Sequence, residues 1–123
     1  MFAGLRGVVV AVAAFGAATA VAAQGYEPVT ERETFLQLLG DKNLSNRLYG
    51  VNLRVSADGT IAGTGAGWDV VGTWSWQDGF FCREMTWGGD PIPYNCQLVE
   101  TNGPDMRFTT DQGAGDSASF RLR

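Results

Sequence analysis

The sequence predicts an all-β domain, an antiparallel meander of about seven short strands rolled into a small barrel or sandwich, with one short N-terminal helix and one disulfide. Three observations carry that prediction. From Arg47 onward apolar and polar residues alternate with a period of two, as half-buried strands require. Asp-Gly pairs at 58–59 and 78–79 are strong hairpin signals. Two cysteines, Cys82 and Cys96, fall opposite each other if a hairpin is centred on Gly89.

In chain order, the first segment lies outside that fold. Arg6 is the one charge before an uncharged run from Gly7 to Ala23 that ends in Ala20-Val21-Ala22-Ala23. A basic start, an apolar stretch and small residues for the peptidase make a secretory signal, expected to span residues 1–23 with cleavage after Ala23. A membrane span needs about 20 strongly apolar residues, whereas this run is mostly alanine and glycine. A periplasmic or secreted location is therefore expected, with no stable membrane span once the signal is removed. In an oxidising compartment a pair of cysteines reads as a disulfide.

Residues 24–123 then form one domain, long enough for a modest core. Without Arg6 it carries eight Lys and Arg against thirteen Asp and Glu, so nucleic acid and anionic membranes are not expected partners. Thr30 and Glu33 form a capping-box pattern, Phe35, Leu38 and Leu39 share a face, and Gly40 ends the run. These features predict a helix over about 30–39, too short to stand alone.

Strands are expected over about 47–123. Tyr49, Val51, Leu53 and Val55 form one inward face before a turn at Ala57-Asp58-Gly59. A strand from Thr60 to about Gly65 follows, with a bend among the glycines at 63, 65 and 67. Later strands run from Trp68 to Gln77, Phe80 to Trp87, Tyr94 to Thr101, Asp105 to Thr110 and Ser117 to Arg123. Met106 and Phe108, then Ala118, Phe120 and Leu122, face inward.

The tryptophan strand allows two readings. With Gln77-Asp78-Gly79 as a three-residue loop, Trp76 sits opposite Phe80 and Trp74 opposite Cys82. Trp74, Trp76, Phe80, Cys82, Cys96 and Leu98 then make one inward patch, which favours a core with tryptophan against the disulfide. The other reading has tryptophans lining a ligand cavity, since small barrels either fill their interior or hold one small ligand. Trp68 and Trp87 lie beside glycines and acids, where loops are expected. With Asp69, Arg83, Asp90 and Tyr94 they are the candidate ligand-binding residues, suited to a sugar or peptide through stacking and charged hydrogen bonds. The competing reading has Trp87 and Tyr94 simply covering one end of the barrel.

Catalytic signatures are sparse. The chain has no histidine, which excludes a Ser-His-Asp arrangement, and paired cysteines offer no thiolate. Metal sites are not expected: zinc wants several Cys or His, and the acids around the glycines of Asp111 to Asp116 lack EF-hand spacing. A carboxylate pair drawn from Asp69, Glu84 and Asp90 would permit glycoside-type hydrolysis. No catalytic residue or cofactor is assigned.

The segments "LYGVNLRVSADGTIAG", "GTWSWQDGFFCREMTWGG", "PYNCQLVE" and "RFTTDQGAGDSASFRLR" resemble a family of small exported bacterial proteins of unassigned function. The likeness rests on the Asp-Gly turns, the Gly-Thr-Trp strand, the two cysteines and the Gly-Asp-Ser-Ala end. Some members carry the label dihydrodipicolinate reductase. The residues argue against that activity here, because "GTGAGWD" leads into a strand and not a helix and no βαβ nucleotide domain can be traced. The function expected from the sequence is an exported binding or structural protein of the cell envelope, taking a small ligand, glycan or protein. A carboxylate-based hydrolase is the alternative.

Overall fold

A computed structural model describes residues 25–123; the expected signal and its cleavage point lie outside the described residues. The elements are β1 (Glu27–Val29), α1 (Arg32–Leu39), β2 (Leu44–Asn46), β3 (Val51–Val55), β4 (Thr60–Gly65), β5 (Trp68–Gln77), β6 (Phe80–Trp87), β7 (Asp90–Asn102), β8 (Asp105–Thr109) and β9 (Ser117–Leu122). From β2 to β9 each strand pairs antiparallel with the next, and β9 pairs back onto β2. The result is a closed eight-stranded barrel. β1 lies outside it, laid along β7 with Val29 opposite Val99.

The expected meander is thus a barrel, with two strands more than the sequence predicts. β1 and β2 have three residues each, too few to show alternation. Yet β2 is what closes the wall: Leu44 lies opposite both Leu53 and Leu122. At Gly63, on β4, a Cβ would collide with the backbone of Asn52, so the sharp bend of the wall there requires glycine.

The register of the tryptophan hairpin differs from expectation by one residue. Asp78 and Gly79 both have positive φ, at 53° and 85°, and make a two-residue loop of the kind that suits strand twist. Gln77 is therefore the last residue of β5 and pairs with Phe80, while Trp76 faces Phe81 and Trp74 faces Arg83. A one-residue slip exchanges the two faces of a strand. Phe81, Arg83 and Met85 point into the barrel with Trp74 and Trp76, and Phe80 and Cys82 lie on the other face.

The disulfide forms as expected, with Cys82 directly opposite Cys96, but it belongs to the outer wall. The pairing arises by compensation. The turn is at Gly88-Gly89, with Trp87 opposite Asp90, and between Ile92 and Asn95 β7 carries one residue more than β6 does between Met85 and Arg83. That bulge restores the Cys82–Cys96 match.

The helix plugs one end of the barrel. It starts at Arg32 after Glu31, and no side chain caps it, so the Thr30–Glu33 capping box does not form. Thr30 serves otherwise: its carbonyl accepts a hydrogen bond from Trp76 Nε1 at 3.0 Å. Phe35, fully buried, meets Trp76 at 5.1 Å, Phe81 at 5.3 Å and Trp74 at 5.5 Å between ring centroids. Leu39 is buried beside it. Trp74 donates to the Ser56 carbonyl at 2.8 Å, which ties the β3–β4 turn to the same plug. Tyr49, expected inward, is exposed in the turn before β3.

Candidate ligand site inside the barrel

Away from the helix the interior is not filled. A cavity of about 260 Å³ lies among Leu53, Val55, Ile61, Met85, Phe108 and Phe120. Neither Trp74 nor Trp76 lines it, so these two tryptophans are core, and the cavity lies beyond them. Its opening follows from strand lengths. β8 stops at Thr109, while β7 beside it spans 13 residues, and the wall there is completed by the connection from Thr110 to Asp116. Thr110, Asp116, Ser117 and Ala118 line the cavity at that point, and Asp116, Ser117 and Ala118 are exposed.

This connection is braced. Thr110 N–H donates to the Asp116 carbonyl at 2.9 Å. Asn95 Nδ2 donates to Asp111 Oδ1 at 2.8 Å, and Asp111 N–H donates to Asn95 Oδ1 at 3.0 Å. Asp111 and Gln112 both hold left-handed backbone, with φ of 55° and 56°, a conformation that non-glycine residues rarely adopt.

Two polar side chains enter the apolar chamber. Arg83 and Gln97 are each only 8% exposed, and both line the cavity. Arg83 lies opposite Asn95 across the β6–β7 ladder, and Phe81 lies opposite Gln97, so Arg83 and Gln97 are diagonal neighbours on one face, within reach of each other's side chains. Arg83 NH1 donates to the Pro93 carbonyl at 2.6 Å, a group that the β7 bulge turns toward it. Among the described residues that is the one hydrogen bond its side chain makes, and no carboxylate pairs with it. Gln97 makes no side-chain hydrogen bond to the described residues. Desolvation lowers the Arg83 pKa from its ordinary value, yet a guanidinium stays charged.

The six sequence candidates do not form one site. Trp68, Trp87 and Asp90 come together around a shallow cleft of about 90 Å³ at the turns that begin β5 and end β6. Trp68 and Trp87 are strand-end residues there and not loop residues, and both are exposed, Trp87 donating to the Gly65 carbonyl at 2.7 Å. Asp69 is exposed and its carbonyl accepts from Gly88 N–H. Tyr94 stands on the outer wall, its hydroxyl 3.3 Å from Cys96 Sγ and 3.3 Å from Gln77 Nε2. Arg83, expected beside the exposed tryptophans, is inside the barrel.

Of the candidate carboxylates, Glu84 stands apart from Asp69. Glu84 faces Thr73, four residues along β5 from Asp69, or roughly 14 Å at ~3.4 Å per residue. Carboxylate pairs in glycoside hydrolysis stand about 5–9.5 Å apart. No group of acids suited to holding a metal occurs among the described residues. Sequence reasoning missed Gln97 and Thr110 and, in its reading of an open interior, gave the cavity to the tryptophans, none of which lines it. The available signal was a charge at Arg83 in phase with Phe81 and Met85. No family model, curated protein or solved structure matches this chain, so the functional reading rests on the chemistry of the site.

Proposed function

We propose that this protein is an exported small-ligand-binding barrel that acts by holding a molecule inside the barrel and not by turnover. The observation that carries this reading is the apolar cavity of about 260 Å³ left open beside a plugged end. Such a space corresponds to roughly nine water volumes at ~30 Å³ each, room for a small, mainly apolar ligand. Concave, apolar sites with a few placed polar groups are the usual form of small-molecule sites. The disulfide, typical of extracytoplasmic proteins, fits a periplasmic or secreted location.

Ala118 provides the test, because it lines the cavity and is exposed at its mouth. Calorimetric titration with octanol, octanoate and octylamine should give binding of at least one to the wild-type protein. Ala118→Trp should lose that binding at least tenfold while its circular dichroism stays that of the wild type. The reading is overturned if none of the three binds, or if Ala118→Trp binds as the wild type does.

A further inference from the structure

Within that reading, on which this inference rests, Arg83 sets the chemical class of the ligand. A guanidinium has five N–H donors, and among the described residues a single one is used, on the Pro93 carbonyl. A charge in an apolar chamber favours a hydrogen-bonded partner, and the remaining donors of Arg83, like the amide of Gln97, which has no hydrogen bond to the described residues, are not sealed in the wall but accessible from the cavity that both residues line. The two side chains are diagonal neighbours in the register and line the same cavity. The other charged residue lining that cavity, Asp116, is exposed at the mouth and makes no ion pair with Arg83 among the described residues.

We propose that the cavity binds a short- to medium-chain carboxylate, its carboxylate accepting hydrogen bonds from Arg83 and Gln97 and its alkyl chain lying among Leu53, Ile61, Met85 and Phe120. Arginine suits this task because its planar fork matches a carboxylate with two parallel bonds. The chain's net negative charge does not prevent entry, since charges beyond about 8 Å are screened at physiological salt. The ligand's own ionisation supplies a second signature. Affinity should fall as pH drops through the carboxyl range, near ~4.3, because protonation removes the charge that Arg83 recognises.

Octanoate, octanol and octylamine carry the same apolar chain and differ in head group, so their comparison on the wild-type protein needs no variant. Octanoate should bind about ten- to a hundredfold more tightly than octanol, the range of a charge-assisted hydrogen bond, and octylamine more weakly than either. Arg83→Met should bring octanoate down to the affinity of octanol and leave octanol unchanged. Arg83→Lys should keep part of the preference. If octanol binds as tightly as octanoate, or octylamine binds best, the carboxylate assignment fails while the ligand-binding barrel stands. If none of the three binds, the barrel reading itself fails. An Arg83→Met protein that does not fold would show Arg83 to be structural, and the wild-type comparison of head groups would still decide the ligand class.

Discussion

Phe35→Ala should destabilise the protein by about 3–5 kcal/mol, the range for truncating a buried phenylalanine. Phe35 is the residue by which α1 enters the barrel, fully buried between Trp74, Trp76 and Phe81. Removing its ring deletes these three contacts and a fourth, edge-on to Phe108, and leaves a void where the plug was. An eight-residue helix has little stability of its own in water, so its docking depends on this side chain and Leu39. A domain of this size is stable by about 5–15 kcal/mol. The loss would therefore lower the thermal midpoint by at least about 12 °C, at ~4 °C or more per kcal/mol. Gln37→Ala, on the exposed side of the same helix, should change stability by no more than ~0.5 kcal/mol. Denaturant unfolding of both variants decides the matter, and equal losses would show that α1 does not plug the barrel.

Replacing both cysteines by alanine should cost about 3 kcal/mol, from the chain entropy of a loop of about 15 residues. The disulfide spans the β6–β7 hairpin with a sequence separation of 14, and that hairpin contains both Arg83 and the bulge that presents Pro93 O to it. Loosening the pair should therefore weaken octanoate binding more than octanol binding, because the anion depends on Arg83's position. Urea unfolding of the oxidised and double-alanine proteins measures the first effect, and the two titrations measure the second. Free thiols at Cys82 and Cys96 in the exported protein would contradict both.

The meander was legible from Arg47 onward because each of its seven strands is long enough to alternate and is bounded by turn residues. The pairing of Cys82 with Cys96 was legible too, although through two shifts that cancel, one at the Gly88-Gly89 turn and one at the bulge. The tryptophan hairpin was misread for a physical reason. Phe80, Phe81 and Cys82 are all apolar, so the run has no unique phase, and assigning Gln77 to the loop chose the wrong one. A two-residue Asp-Gly loop gives the observed register at once.

That single residue decides the candidate site. In the slipped register Arg83 is an outward residue near the exposed tryptophans, whereas in the observed one it is a charge inside the barrel. An open interior was one of two readings of the sequence, but the place of the cavity was not legible. It depends on how far β8 runs beside β7, on the closing contacts of a three-residue strand and on where the helix plug ends, none of which leaves a local pattern. Of the six residues grouped from the sequence, Trp68, Trp87 and Asp90 line one cleft, about a third the volume of the interior cavity.

Where the ligand sits tests the account most directly. On the octanoate complex, nuclear Overhauser contacts should connect the alkyl protons to the methyl groups of Leu53, Ile61 and Met85 and to the ring of Phe120, with the Arg83 guanidinium signals shifted by the carboxylate. Contacts confined to Trp68, Trp87 and Asp90, with the interior methyl groups unchanged, would contradict it.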